Sequence, residues 1–227
     1  TEAPQIIVAA DSGLIILHAK ANDNTNGGKQ LIENDFNSGY MKGNTTMMCP
    51  MESSVGSSLA DVSPYVNYLS TGGGTHNYVS AVIGKGDSLT ASGYWINTHN
   101  DTDFDYSTGA LTWHIWVKSH GSDIASVEYI MRALSAPDVV SLSFLSTDLI
   151  EWAIGNTNGT DTATSATDFY DGNWHFVVGI RNSNGVLDLY VDGERAAQDA
   201  SVAATGAVDP GNVVVGASTV PDGHLRA

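Results

Sequence analysis

Three aspartates alternate with other residues over a short stretch of the sequence, at Asp101, Asp103 and Asp105. Asn100 precedes them, so side-chain oxygens are concentrated at this point of the chain. Such an arrangement can surround a hard cation, and calcium takes about six to eight oxygen ligands. The stretch is not an EF-hand loop, because Tyr106 stands where that loop requires glycine. It predicts either a calcium site or a solvated turn ahead of a strand.

A second concentration of side-chain oxygens offers the same chemistry further along the chain. It comprises Asn156, Asn158, Thr160 and Asp161. Amide, hydroxyl and carboxylate oxygens are all hard ligands of the kind that calcium prefers. Calcium is the cofactor that the sequence suggests, and the alternating aspartates are its predicted ligands.

Soft ligands are grouped closer to the start of the chain. Met41, Met47, Met48 and Met51 lie within eleven residues, with Cys49 among them. Thioether and thiol groups suit Cu(I), but methionine also fills irregular apolar gaps. We interpret the group as an apolar clasp. The seven histidines include no pair at ligand spacing on one element, so the sequence predicts no zinc site.

The chain of 227 residues is strongly acidic. It has 25 Asp and Glu against 9 Lys and Arg, a formal net charge of -16. A nucleic-acid partner is excluded, because neutralising phosphates requires a basic surface. The apolar runs are far shorter than the ~20 residues of a membrane helix, so no membrane span is predicted. With few cations to compensate them, the acidic loops predict a fold that is more stable in calcium or salt.

The elements that position these groups are strands. Apolar and polar residues alternate with period two along Leu111 to Lys118, and the pattern repeats through much of the second half of the chain. Further segments of this kind run from 128 to 134, 139 to 145, 149 to 154, 174 to 181, 186 to 192 and 213 to 216. Turn residues separate them, and Asp192 followed by Gly193 predicts a tight hairpin. The pattern predicts an all-β fold with little helix.

The region from about residue 34 to 77 differs from the rest. It lacks sustained alternation and is rich in Gly, Ser, Thr and Asn, including the run from Gly72 to Gly74. It has too few large apolar residues for a core of its own. We predict one domain over residues 1–227, with a long loop excursion at about 34–77.

The stretch from Asp171 to Gly193 resembles the signature of laminin-G-like domains of the concanavalin A-like lectin/glucanase superfamily. Trp174 and His175 match its aromatic strand, and residues 189–193 match its Leu-Tyr-Val-Asp-Gly string. The resemblance extends from about residue 11 to the end and skips the excursion. It implies a jelly-roll sandwich of two antiparallel sheets. The family usually closes with a further strand, so the short ending after Asp222 predicts a short last strand or an edge covered by a partner chain.

The tryptophans are predicted to divide between the core and the surface. Trp113 and Trp152 are expected in the core, whereas Trp95 and Trp116 are candidates for exposure. Trp116 shares its strand face with His114 and Lys118. The alternating residues Trp174, Phe176, Val178 and Ile180 are predicted to fill the gap between the two sheets.

Catalysis is not predicted, although the resemblance brings glycoside hydrolases into consideration. Those enzymes need two carboxylates about 5 to 9.5 Å apart. Sandwich glucanases usually carry them as Glu-x-Asp-x-Glu on one strand, and this string does not occur here. Glu128, Glu151 and Glu194 are each isolated in the sequence. A hydrolase is therefore only a minor alternative.

The sequence favours a non-catalytic structural or adhesion module displayed at a surface. We expect it to be a subunit or decoration protein of an extracellular assembly or a virion, located outside the cell or on a particle or cell surface. A calcium-dependent carbohydrate-binding module is the alternative. The expected partners are other protein subunits, glycans, or both.

Overall fold

The structure, a computed structural model, describes residues 47, 49, 58–61, 63, 67–82, 85–90, 93–97, 102–121, 124, 126–201 and 205–216. Within these ranges the chain forms fourteen strands and one short 3-10 helix, Thr102–Phe104. The strands are β1 Ser58–Leu59, β2 Leu69–Thr71, β3 Thr75–Ser80, β4 Lys85–Thr90, β5 Trp95–Asn97, β6 Leu111–Lys118, β7 Glu128–Ser135, β8 Asp138–Phe144, β9 Leu149–Asn156, β10 Gly159–Asp168, β11 Trp174–Arg181, β12 Leu187–Val191, β13 Glu194–Asp199 and β14 Val213–Val215.

The described strands form two main sheets and a separate hairpin. The larger sheet has eight strands in the order β1-β2-β5-β14-β7-β8-β9-β10, and the smaller has four in the order β13-β12-β11-β6. Strands β3 and β4 pair only with each other. Every pairing is antiparallel. This confirms the predicted all-β sandwich.

The two sheets pack together at Trp152. Its side chain is fully buried, and its ring centroid lies 5.8 Å from that of Trp113 on the opposite sheet. The indole Nε1 donates a hydrogen bond to the carbonyl oxygen of Ile180 at 3.1 Å. A Cβ at Gly179 would lie 2.4 Å from the Trp152 ring, so glycine makes room for the indole there. The predicted core positions of Trp113 and Trp152 are confirmed.

The face of β11 that points to the core is the opposite of the predicted one. Val177 is fully buried and Gly179 lies against Trp152, whereas Trp174, Phe176 and Ile180 are half-buried on the outer face. The prediction was wrong because the inward face carries only one large apolar residue, Val177, with Gly179 beside it and the buried polar residues His175 and Arg181 at the strand ends. The alternation of this strand therefore indicates the face that the opposite sheet does not cover.

Trp95 is also in the core, so its predicted exposure was wrong. Its side chain is fully buried, and its Nε1 donates to Asp87 Oδ2 at 2.7 Å. His76 packs edge-on against it with ring centroids 4.6 Å apart. Both partners come from the β3–β4 hairpin, which supplies the hydrogen-bond acceptor that a buried indole needs. The predicted exposure of Trp116 is confirmed, since 38% of this residue's surface is accessible.

The turn predicted at Asp192 and Gly193 is confirmed, and the turn predicted after Ile154 is shorter than expected. Asp192 and Gly193 have φ of 52° and 87°, and they connect β12 to β13 as a hairpin. By contrast, the residues after Ile154 are mostly strand, because β9 continues to Asn156 and β10 starts at Gly159. The inward positions of β10 carry small residues such as Ala163 and Ser165. Small side chains give no apolar alternation, so the sequence pattern missed this strand.

The described part of the segment 34–77 does not behave as a continuous loop. Strands β1 and β2 extend the larger sheet, and Leu59 and Leu69 are buried in the core. Single leucines separated by polar residues produce no alternating pattern, so these short strands were not predicted. Met47 and Cys49 are partly buried against the same core, and this agrees with an apolar clasp. Burial, followed by the charge of Asp61, raises the pKa of the Cys49 thiol to about 12.

Several expectations fall on residues outside the described ranges. These residues are Met41, Met48, Met51, Asp101 and the stretch 222–227. Within the part of the chain that the structure describes, no helix has the length and apolar character that crossing a bilayer requires.

Candidate functional site

The candidate site is the outer face of the four-stranded sheet, which points away from the core. On β6 this face carries Thr112, His114, Trp116 and Lys118, all exposed. Because directly opposed residues of antiparallel strands share a face, the register extends it across β11. His114 pairs with Val178, Trp116 with Phe176, and Lys118 with Trp174. We call this surface, from Thr112 to Lys118 on β6 with the paired residues of β11, the outer aromatic face.

Three rings form its centre. The Trp116 and Phe176 centroids are 5.3 Å apart with an interplanar angle of 39°. The His114 ring lies 5.8 Å from Phe176 on the other side. Phe176 is half-buried between its two neighbours, and Trp116 remains the most accessible tryptophan among the described residues. The result is a continuous row of ring surfaces across two strands.

Polar groups surround these rings. Lys118 is exposed and has no ion-pair partner among the described residues. Farther across the sheet, Arg195 NH1 lies 3.6 Å from Asp188 Oδ1. The carboxylate of Asp188 also accepts hydrogen bonds from Asn182 Nδ2 and Gln198 Nε2, both at 2.8 Å. The cation on β13 is thus paired within the chain, whereas Lys118 on β6 has no such partner in the described part of the chain.

His114 adds a neutral polar group to the face. Its side chain reaches solvent, yet it is closely surrounded by neighbouring side chains. This desolvation lowers the pKa of His114 below its usual value. The imidazole is therefore uncharged at neutral pH, with one nitrogen that donates a hydrogen bond and one that accepts. Rings for stacking, together with a few polar groups around them, suit the recognition of a small polar ligand.

A charged clamp on the opposite side of β11 holds this strand in place. His175 Nδ1 lies 2.7 Å from Asp192 Oδ2, and its Nε2 lies 3.0 Å from Asp171 Oδ1. Asp192 also accepts a hydrogen bond from the backbone nitrogen of Phe176 at 2.8 Å. Because both neighbours of the imidazole are carboxylates, the protonated ring can donate from both nitrogens. The clamp ties the loop before β11 to the hairpin after β12.

The pKa values of the clamp follow from these contacts. Burial alone would lower the pKa of His175, but its hydrogen bonds to Asp192 and Asp171 outweigh burial and raise it. For Asp171, slight desolvation is outweighed by hydrogen bonds from Asn173 and His175, which lower its pKa to about 2. The raised pKa of His175 therefore favours the protonated ring between the two carboxylates.

The predicted calcium ligands are not seen as a cluster. Asp101 lies outside the described residues, and Asp105 is exposed. Asp103, in the 3-10 helix, accepts a hydrogen bond from Asn67 Nδ2 at 2.9 Å and so connects to the segment between β1 and β2. Among the described residues, no three His, Cys, Asp or Glu side chains are placed to hold one metal ion.

The second oxygen-rich group is engaged in internal contacts. Asn156 Oδ1 accepts a hydrogen bond from the backbone nitrogen of Asn158 at 2.8 Å, as in an Asx turn. Asp161 is 1% exposed, accepts a hydrogen bond from Ser201 Oγ, and interacts electrostatically with Arg181. These contacts connect the β9–β10 hairpin to neighbouring loops.

The three glutamates discussed for catalysis lie in different surroundings. Glu128 is 3% exposed and accepts a hydrogen bond from the Tyr170 hydroxyl at 2.9 Å. Glu151 accepts one from Thr164 Oγ1 at 3.3 Å, and Glu194 is exposed at the start of β13.

The sequence analysis had placed Trp116, His114 and Lys118 together on one face of β6. It missed Phe176, which was assigned to the core because it belongs to the apolar face of β11, with Trp174, Val178 and Ile180.

Comparisons with known proteins agree with this architecture. Three solved structures of similar fold are the binding domain of Paraclostridial Mosquitocidal Protein 1, and the binding domain of Botulinum neurotoxin DC in complex with SialylT and, separately, with rat synaptotagmin II. Their TM-scores are 0.64, 0.56 and 0.55, each at 15% identity. The matches cover 77%, 69% and 74% of this chain. They cover only 44%, 40% and 42% of those chains, so this protein spans less than half their length. Such low identity establishes the shared fold alone.

The sequence itself matches a family. A search of the curated proteins found no match. A family model described as the concanavalin A-like lectin/glucanases superfamily, of the laminin G type, matches residues 90–227, more than half of the chain. This range includes every residue of the outer aromatic face and the charged clamp. The chain belongs to the concanavalin A-like lectin/glucanase superfamily.

Proposed function

We propose that this chain is a non-catalytic binding module that acts in adhesion or as a structural subunit of an extracellular assembly or a virion. Its binding surface is the outer aromatic face. The observation that carries this proposal is the exposed row of Trp116, Phe176 and His114 on a sheet whose other face is already packed against the core. A large ring left in water on a regular strand is costly, and covering it with a partner recovers that free energy.

The similar structures support a binding role over a catalytic one. Those compared above are binding domains, and two were solved with a bound partner, SialylT in one and synaptotagmin II in the other. The internal hydrogen bonds of Glu128 and Glu151 give no support to the carboxylate pair of a glycoside hydrolase.

Association measurements with matched variants test the proposal. Trp116→Ala should weaken self-association of the chain, followed by sedimentation equilibrium, or its binding to immobilised oligosaccharides. Tyr68→Ala is the control, because Tyr68 is 37% exposed, close to the 38% of Trp116, but lies outside the outer aromatic face. A chain that is monomeric at all concentrations and binds none of the oligosaccharides would contradict the proposal. So would equal effects of the two substitutions.

A calcium-dependent carbohydrate-binding module is the second candidate, with Asp101, Asp103 and Asp105 as the proposed ligands. It is favoured by the complex of a similar toxin domain with SialylT. Calcium at ten times its dissociation constant should stabilise the fold by about 1.4 kcal/mol. Thermal unfolding with calcium, magnesium or a chelator measures this, and Asp105→Asn should reduce the shift. Asparagine keeps the size of the Asp105 side chain, and the melting temperature of the metal-free variant is the reference for its calcium shift. A melting temperature that millimolar calcium does not change would contradict the metal site.

A further inference from the structure

We propose that the outer aromatic face binds an oligosaccharide that carries a single negatively charged group, with one sugar ring stacked on Trp116 and that group at Lys118. This inference rests on the proposed binding function and names the chemical class of the ligand. It joins two features of one strand, an exposed indole and a cation that has no ion-pair partner among the described residues.

The stacking surface has the form that a sugar ring requires. A pyranose presents a face of C–H groups, and that face packs on an accessible aromatic ring of similar size. Trp116 offers the accessible ring, and Phe176, 5.3 Å away, supports it from the neighbouring strand. The tilt of 39° between the two rings makes the surface slightly folded rather than flat. Because Phe176 packs against Trp116, the indole is held in position before a ligand arrives, which reduces the entropy cost of binding.

The charge on Lys118 selects for an anion. In a chain with 25 acidic and 9 basic residues, a lysine would be expected to have a carboxylate neighbour. Lys118 has none among the described residues, whereas Arg195 on the same face is paired with Asp188. Lys118 is two residues from Trp116 on the same side of the strand, a spacing of about 6.6 Å. A carboxylate or sulfate on the stacked sugar or its neighbour is therefore within reach of the ammonium group.

The other end of the row suits hydroxyl groups. His114 lies two residues before Trp116 on β6, with its ring 5.8 Å from that of Phe176, and desolvation keeps it neutral at neutral pH. Thr112 is exposed next to it on the same face. Both side chains donate and accept hydrogen bonds, as sugar hydroxyls do. From Lys118 to Thr112 the face thus changes from cationic to aromatic to neutral polar.

The same features disfavour a protein partner on this face. Protein interfaces bury about 800 Å² on each side around an apolar core. Here exposed polar side chains, Thr112 and Lys118, adjoin the rings at both ends of β6, and the charged pair of Asp188 and Arg195 is on the strands beyond. On β6 and β11, Trp116 is the one large apolar side chain that is exposed, while Trp174, Phe176 and Ile180 are half-buried. A single exposed ring matches one or two sugar units better than a protein surface.

Paired oligosaccharides that differ only in charge test this inference by calorimetry. The pairs are 3′-sialyllactose with lactose, and a sulfated with an unsulfated disaccharide, so that the two arms distinguish a carboxylate from a sulfate. We expect the charged member of at least one pair to bind more tightly. Lys118→Gln should weaken that binding about tenfold without affecting the neutral member. Trp116→Ala should weaken both members about tenfold, and added salt should reduce only the preference for charge.

Lys85→Gln is the control, because Lys85 is an exposed lysine of the β3–β4 hairpin and not a residue of β6 or β11, so its loss should weaken binding less than Lys118→Gln. Equal binding of both members of every pair, unaffected by Lys118→Gln, would overturn the anionic ligand and leave the binding module in place. Self-association that depends on Trp116, with no sugar bound, would overturn this inference. It would show that the outer aromatic face binds a second copy of the chain. If neither a sugar nor a second copy binds, the proposed function fails as well.

Discussion

The two faces of β6 and β11 use the same kinds of residue for opposite purposes. On the inner face, Trp113 packs against Trp152 and donates a hydrogen bond from Nε1 to the Tyr106 hydroxyl at 2.9 Å. On the outer face, three residues along the same strand, Trp116 is more than one-third exposed. The inner tryptophan has its ring and its polar nitrogen both satisfied by the fold. The outer one is supported on one side only, which leaves the other side for a ligand.

The charged residues of the two faces also differ in whether the fold supplies them with partners. The inner residues His175 and Arg181, at either end of β11, are 8% and 1% exposed. His175 is held between two carboxylates, and Arg181 NH2 donates to the Gly206 carbonyl oxygen at 2.8 Å. Outer Lys118 has no such partner among the described residues. The two inner charges are thus partnered within the fold, whereas Lys118 adds no ion pair to the described part of it and is free to serve the binding that we propose.

The largest expected difference between the two faces is between their tryptophans. Trp113→Ala should lower the free energy of unfolding by about 3–5 kcal/mol, because it leaves a cavity against Trp152 and removes a buried hydrogen bond. Trp116→Ala should cost about 1 kcal/mol or less, since only its packing on Phe176 is lost. Urea denaturation of both variants measures the contrast. Equal losses of stability would show that the outer tryptophan is a structural residue.

A smaller difference in stability is expected between alanine substitutions at two glycines. Gly179→Ala should destabilise the fold by about 1–3 kcal/mol, because the new Cβ would overlap the Trp152 ring. Gly86→Ala is the matched control, with its nearest neighbour 3.2 Å from the added atom and an expected cost below about 1 kcal/mol. Thermal unfolding compares them. If Gly179→Ala is no worse than its control, then the sheets do not meet closely at Trp152.

The smallest expected difference in stability is between substitutions of the charged residues His175 and Lys118, and it depends on pH. His175→Gln should lower the free energy of unfolding by about 1 kcal/mol. The effect is small because Asp171 and Asp192 are 41% and 46% exposed, so solvent screens both ion pairs. Lys118→Gln should change stability very little. Chemical denaturation of the two variants and the wild type at several pH values measures both effects.

The pH at which the His175 contribution is greatest follows from its pKa shifts. The raised pKa of His175 means that its contribution is complete below the unfolded-state pKa and is lost as pH rises through the folded-state value. The lowered pKa of Asp171 means that its contribution is present above the ordinary value of 3.8 and is lost as pH falls toward 2. The effect of His175→Gln should therefore be greatest between about pH 4 and pH 6. A pH-independent effect would contradict the charged clamp.

The strands with regular alternation could be predicted from the sequence, and those built from small or isolated apolar residues could not. Leu111–Lys118 alternates strictly, so its two faces and the exposure of Trp116 followed directly. Strand β10 buries alanine and serine, and β1 and β2 each bury a single leucine, so no period was visible in any of them. Trp95 was misplaced because its hydrogen-bond acceptor, Asp87, comes from a hairpin whose docking no local pattern reveals.

The candidate site could likewise be predicted from the sequence only in part. The sequence by itself determined that His114, Trp116 and Lys118 share one face, because a strand has a side-chain period of two whatever its surroundings. Only the tertiary structure decided that Phe176 faces outward to join them, since the alternation of β11 indicates the side of Phe176 as the buried one, whereas the contact of Gly179 with Trp152 buries the other side. Local periodicity defines the faces of a strand, but packing between the sheets decides which of them remains accessible to a ligand.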